Sequence, residues 1–206
     1  MDDSVNWDDY LQHAEVSDVG LRRNNNQDAF AVVLANDLEA WHRTGHLFVV
    51  ADGMGAHAAG ELASEMAVSG ISHRYHKYQD LSPPEALLRA IEETNDEVHR
   101  RGQANVDFYN MGTTTSVLAL LPQGALVAHV GDSRVYRMRG LLLEQLTFDH
   151  SLVWELQAGG QLTGDPQLAS SVPKNIITRS LGPNPTIHSD FEGPFPLEIG
   201  DTFLLC

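Results

Sequence analysis

Three aspartates stand where an apolar, β-branched run meets a turn. Asp52 closes Phe48-Val49-Val50-Ala51 and is followed by Gly53-Met54-Gly55-Ala56-His57-Ala58-Ala59-Gly60. Asp28 ends the polar turn Leu21-Arg22-Arg23-Asn24-Asn25-Asn26-Gln27 and feeds the run Ala29-Phe30-Ala31-Val32-Val33-Leu34. Asp132 follows Ala125–Val130 and Gly131, with Ser133-Arg134 after it. A carboxylate at the end of a rigid strand, beside glycine backbone that a ligand can approach, is what a hard divalent cation requires. Such oxygen donors suit Mg²⁺ and Mn²⁺, and the single cysteine, Cys206, excludes a thiolate cluster or an internal disulfide framework. On residue types alone, each aspartate also fits an ordinary turn, and Asn24–Asn26 an ordinary surface hairpin.

The elements that must position these carboxylates follow from periodicity. Phe48–Val50 reads as a buried strand, and Glu61–Val68 as a helix with Leu62 and Met66 on one face. Gln12–Asp18 reads as a short strand. Ser82-Pro83-Pro84-Glu85 carries a capping box with proline at the first helical position. Leu87, Ala90, Ile91, Thr94 and Val98 continue that helix, and Gly102 after Arg100-Arg101 reads as its C-cap. Gly112–Leu121 and Ala125–Val130 read as strands joined at Pro122-Gln123-Gly124, and Val135–Arg139 pairs with Leu141–Leu146 across Gly140. Short turns between consecutive strands predict antiparallel sheet. Asp149–Gly159 reads as a short capped helix, residues 160–186 as an irregular segment and candidate lid, and Ile199–Cys206 as a last apolar strand.

At 206 residues the chain suits one core, with residues 1–11 an acidic tail and residues 12–206 one domain. A net charge of −15 makes nucleic acid a poor partner. No apolar run is long enough for a bilayer, and the N-terminus is acidic where a signal peptide is basic, so a cytoplasmic protein is expected. His57, His129 and His150 match no zinc spacing. No base is placed by sequence to activate Ser133 as a nucleophile.

Taken together and in order, Gly20–Asp28, Val50–His57, Met111-Gly112-Thr113-Thr114 and Val130–Arg134 resemble the bacterial metal-dependent phosphatases of the protein phosphatase 2C (PPM) family. The resemblance covers residues 12–206, which it makes a phosphatase catalytic domain. It implies an α+β fold: an antiparallel β-sandwich flanked by α-helices, four layers α/β/β/α, with a metal cluster at one end. It implies that Asp52 bridges two Mn²⁺ or Mg²⁺ ions, that the Gly53 carbonyl ligates one, and that Asp28 supports the cluster directly or through water. Asp132 would help hold a third, weaker ion. Arg23, five residues before Asp28, would grip the substrate phosphate in preference to Arg22, and His57 would stand behind the ligands. The implied activity is hydrolysis of phosphate monoesters on phosphorylated Ser/Thr proteins, with water activated by the binuclear centre. It would oppose a cognate Ser/Thr kinase, or act on that kinase's substrates, in bacterial signalling. The physical chemistry agrees: paired cations activate water without a cysteine or serine nucleophile, and an arginine fork matches a phosphate monoester.

Departures from the family pattern qualify this expectation. Met54 stands where eukaryotic relatives have a histidine proposed as general acid, and Ala56 where glycine is common. The family continues past a strand like Thr202–Cys206 into Ser-Asp-Gly and later Asp-Asn, whose aspartates complete the cluster. The chain is therefore expected to be truncated before the last metal-binding motifs, to hold metal less well and to turn over slowly. The alternative is a catalytically silent, phosphatase-like binding or regulatory domain. The presence of all three aspartates, Asp28, Asp52 and Asp132, favours the enzyme.

Overall fold

The computed structural model describes residues 7, 10–21, 25–55, 58–162, 172–173 and 176–206. Strand β1 (Asp28–Val33) pairs with β2 (His46–Met54) across the helix α1 (Leu38–Arg43). Two long helices follow, α2 (Ala59–Lys77) and α3 (Pro83–Ala104). Then come β3 (Gly112–Thr113), β4 (Thr115–Leu121), β5 (Gly124–Val130), β6 (Val135–Arg139) and β7 (Leu142–Gln145). Helix α4 (Leu152–Ala158) and strands β8 (Asp190–Phe195) and β9 (Thr202–Leu205) complete the order. A six-stranded sheet runs β1-β2-β4-β5-β8, with β3 also paired to β2, and a three-stranded sheet runs β7-β6-β9. Among the described residues every strand pair is antiparallel.

Alternation along β4 explains the layers. Val117, Ala119 and Leu121 face Ile71, Tyr75, Leu87 and Ile91 of α2 and α3. Leu118 and Leu120 face Val135, Leu146, Phe203 and Leu205 on the side of the small sheet. Successive side chains of a strand point to opposite faces, so a strand covered on both sides must be apolar throughout, as β4 and β5 are. The architecture is the expected α+β one of antiparallel sheets flanked by helices. On the far face of the small sheet Met138, Leu143 and Leu204 are exposed. Among the described residues no helix is long and apolar enough to cross a membrane.

Some local expectations are corrected. Gln12–Asp18 is exposed chain with no ladder partner among the described residues; isolated contacts, such as His13 edge-on to Phe48, do not supply the neighbouring strand that a ladder needs. Helix α3 has the expected capping box but runs through Gly102 to Ala104, with Asn105 as C-cap. Gly102 is buried under the turn at Phe108, so close packing rather than capping accounts for the glycine. Helix α1, capped by Asp37 accepting from the Ala40 N–H, has no counterpart in the sequence reading. Nor has β8, whose Gly193 and Pro194 break a strand pattern; an edge position beside a register shift in β5 tolerates them.

Candidate active site

The register of β1 on β2 sets Asp28 directly opposite Asp52. Facing residues of an antiparallel pair project to the same side, with their Cβ atoms about 5 Å apart. The asparagine-rich turn has a specific part in this. Asn26 Oδ1 accepts the Asp28 N–H at 3.1 Å, a side-chain bond that closes the turn where β1 begins. The Gly53 N–H donates to the Gln27 carbonyl at 2.9 Å and extends the pairing past Asp28. A Cβ on Gly53 would lie 2.0 Å from the Gly60 carbonyl oxygen, and one on Gly60 2.6 Å from Gln27 Nε2. The end of β2, the start of α2 and Gln27 thus meet backbone to backbone, which only glycine permits.

The Met111–Thr114 stretch clamps the Asp52 peptide. The Thr114 N–H donates to the Asp52 carbonyl at 2.9 Å, and the Thr113 hydroxyl lies 3.0 Å from that same oxygen. The Asp52 N–H donates to Thr114 Oγ1 at 2.9 Å. That hydroxyl also meets Ser133 Oγ at 2.6 Å, so one threonine links Asp52 to the residue after Asp132. Ser116 Oγ donates to the Ser133 carbonyl at 2.7 Å.

Gly131 fixes the approach to Asp132. Its φ of +111° lies where glycine is favoured, and a Cβ there would fall 2.6 Å from Thr114 Cγ2. His150 holds it from the other side: Nδ1 accepts the Gly131 N–H at 3.0 Å, and the His150 N–H donates to the Gly131 carbonyl at 2.8 Å. Burial, together with the nearby Asp149 carboxylate, raises the pKa of Asp132, and Arg134 partly offsets this. Arg134 grips Asp149 with a two-pronged fork and donates to the Tyr136 hydroxyl at 2.9 Å. Those bonds hold its guanidinium in the charged form, so Arg134 serves as the structural partner of Asp149. A cavity of about 340 Å³ opens here, lined by Asp132, Arg134, Asp149, Ser151 and Trp154.

Asp28, Asp52 and Gly53 are brought together. Asp132 is joined to them through Thr114 and Ser133, but the three carboxylates do not close into one tight cluster. Among the described residues the group with ligand atoms within 4.8 Å of one another is His129, His150 and Asp190. The hydrogen bonds of His150 argue against a metal. His150 Nδ1 faces an N–H, so the neutral ring carries its proton on Nε2, 3.2 Å from Asp190 Oδ2. His129 Nε2 donates to the Phe148 carbonyl at 2.6 Å, which leaves its buried Nδ1 as an acceptor with no hydrogen-bond partner among the described residues, so the case against a metal rests on His150. Burial lowers the pKa of both rings. Asp190 is lowered although burial works the other way, because bonds to His150 and Arg179 outweigh it. Arg23 and His57 lie outside the described residues.

The sequence reading missed the clamping roles of Thr113, Thr114 and Asp149, and gave His150 no part in the site beyond noting that it matches no zinc spacing. The signal for the threonines is their place in Met111-Gly112-Thr113-Thr114, one of the four stretches that carry the resemblance. Asp190 had none.

Comparison with known proteins decides the family. The family model described as "Protein phosphatase 2C" matches residues 22–150. Protein phosphatase PhpP of Streptococcus pneumoniae is 42% identical over 195 residues, covering 92% of this chain and 75% of its own. The chain belongs to the protein phosphatase 2C family. Among solved structures, the serine/threonine phosphatase of S. agalactiae matches with a TM-score of 0.76 and 36% identity, over 92% of this chain and 76% of that one. The catalytic domain of the phosphatase PstP, solved in complex with 2 manganese ions, matches with a TM-score of 0.69 and 29% identity, over 92% of this chain and 74% of that one. The chain is an enzyme of this family, a protein serine/threonine phosphatase, and the comparisons give no support to a silent domain. Metal dependence comes with the family.

Proposed function

We propose that Asp28, Asp52 and the Gly53 carbonyl hold two divalent cations, Mn²⁺ or Mg²⁺, that Asp132 holds a third more weakly, and that Arg23 binds the substrate phosphate. The observation that carries this reading is the β1–β2 register, which sets two carboxylates face to face beside a glycine packed too closely for any side chain. The donor set is all oxygen, which fits hard cations. Asp132, whose charged form is disfavoured by burial and by Asp149, gains further from a cation nearby. Bound cations supply an acidified water and neutralise phosphoryl charge, so the protein need not supply a nucleophile.

The chain's own residues then have three tasks. Thr113 and Thr114 hold the Asp52 peptide, so the backbone that carries its carboxylate is fixed before substrate arrives. Asp28 shares the charge from the neighbouring strand. Arg23 fits two oxygens of a phosphate monoester with the paired N–H donors of its planar guanidinium. His57 is assigned a supporting role to the ligands. The substrates are phosphorylated Ser/Thr proteins, and the enzyme works in the cytoplasm against a Ser/Thr kinase or on that kinase's products, with residues 12–206 as its catalytic domain.

The test is hydrolysis of an aryl phosphate by this chain with Mn²⁺, with Mg²⁺ and with chelator, beside Arg23→Ala. The expected result is turnover that requires metal and a raised KM in the variant. Turnover unaffected by chelator overturns the metal reading, and an unchanged KM overturns the role of Arg23.

A further inference from the structure

His150 sits at a junction that the phosphatase reading leaves unused. It is 2% exposed, and its ring stacks on that of His129 with centroids 4.6 Å apart. Its main chain takes both sides of a bridge: its N–H donates to the Gly131 carbonyl at 2.8 Å, and its carbonyl accepts the Thr178 N–H at 2.9 Å. Its side chain also serves two partners, accepting from Gly131 at Nδ1 and donating from Nε2 to Asp190. Asp190 is in turn held by Arg179 at 2.8 Å.

Gly131 is the residue these contacts fix. It lies between His150 and Thr114, with no room for a side chain against the threonine. Thr114 is the residue that accepts the Asp52 N–H and meets Ser133. An unbroken stack therefore runs His150, Gly131, Thr114, Asp52, and Asp132 hangs directly from its second member. We propose that His150 is a positioning residue of the site: by accepting the Gly131 N–H at Nδ1 it sets the Val130-Gly131-Asp132 turn, and with it the direction of the Asp132 carboxylate. The inference rests on the reading that Asp132 takes part in metal binding. Groups that orient a ligand are worth about 10- to 100-fold in metal affinity.

Two substitutions separate the two bonds of the ring. The side-chain oxygen of His150→Asn falls near the place of Nδ1 and keeps an acceptor for Gly131, while losing the bond to Asp190. The amide of His150→Gln reaches the place of Nε2 and keeps the Asp190 bond, while losing the acceptor. Mn²⁺ binding to the apo chain is measured by calorimetry for both, with Asp132→Asn as reference and a denaturation curve for each. The expected pattern is a loss of the weaker Mn²⁺ event in Asp132→Asn, a drop of about tenfold or more in His150→Gln, and near-normal affinity in His150→Asn. Equal affinities in both His150 variants, whether both normal or both weakened, overturn the proposal. Unchanged binding in Asp132→Asn overturns the reading of Asp132 itself, a result distinct from the first. The wild-type chain supplies a check that does not depend on a variant folding: imidazole ¹⁵N shifts must show His150 protonated on Nε2. A proton on Nδ1 removes the acceptor and ends the argument.

Discussion

Asp52 and Asp132 stand at comparable places, each just where a buried strand gives way to a turn, yet they are held by different means. Asp52 lies within its strand, opposite Asp28 on one side, and its peptide is bonded to Thr114 on the other. Asp132 lies two residues past the end of β5 and has no ladder of its own. It is held by what its neighbours touch: Gly131 by His150, Ser133 by Thr114 and Ser116, Arg134 by Asp149. The difference teaches where tolerance resides. A carboxylate set by main-chain register moves only if the sheet moves, whereas one set by side chains can be shifted by single substitutions that leave the fold intact.

The largest expected effect is on the ladder side. Asp52→Ala should lower metal-dependent turnover of an aryl phosphate by about 10³-fold or more, since cation stabilisation of phosphoryl charge is worth several kcal/mol. Asp132→Asn should lower it less, with much of the loss recovered at high Mn²⁺. Steady-state rates across a Mn²⁺ titration check both. Equal losses that excess metal does not restore would erase the distinction between the two carboxylates.

Next comes the salt bridge on the Asp132 side. The Asp149 side chain is 7% exposed, whereas that of Arg134 is 40% exposed. Breaking a buried pair costs about 3–5 kcal/mol, but solvent at the arginine screens this one, so Arg134→Met should cost about 2 kcal/mol. Urea denaturation measures it. A cost below the noise would mean that Gln145, 3.0 Å from Asp149 Oδ1, satisfies the carboxylate alone.

Adjacent threonines give a finer contrast. Thr114 accepts the Asp52 N–H, whereas Thr115 Oγ1 is buried with no hydrogen-bond partner among the described residues. Thr114→Val leaves the half-buried Asp52 N–H without this acceptor, at a cost of about 1–2 kcal/mol. Thr115→Val removes an unpaired hydroxyl and should be neutral or stabilising by up to about 1 kcal/mol. The two denaturation curves should therefore move apart, and matched losses would refute the clamp.

How much of this was legible in the sequence depends on the kind of interaction. Asp28, Asp52, Gly53 and Asp132 were marked by strand ends and glycines, because a turn after an apolar run leaves a local trace. The capping box of α3 and the hairpins at Gly124 and Gly140 were local too. His150, Asp149 and Asp190 were not readable as parts of the site, and Thr114 only as a member of the family-like stretch Met111–Thr114. Each acts across 15 to 62 residues of chain, as the pairs Arg134–Asp149, His150–Asp190 and Asp52–Thr114 show. Their residue types also serve equally well on a surface. The strand expected at Gln12–Asp18 failed for the converse reason: an alternating pattern does not supply a partner.

The smallest expected effect concerns pH, and it again separates the two sides. Burial holds His46, His129 and His150 below their ordinary pKa of 6.5. A histidine depressed in the folded state stabilises the fold fully above its unfolded pKa, and that contribution is lost as pH falls through the folded value. Stability should therefore decline as pH drops below about 6.5. His129 and His150 border Gly131, while His46 accepts the Ala35 N–H at 3.0 Å near the start of β2. His46→Asn keeps that acceptor and removes one of the three titrating rings, so it should flatten the slope only in part. Amide exchange followed from pH 7 toward pH 5.5 should loosen Gly131 before Asp52, because protonation of His150 removes the acceptor on one side and leaves the β1–β2 ladder untouched. If both amides loosen together, the side-chain network and the ladder form one cooperative unit, and the contrast between the two carboxylates collapses.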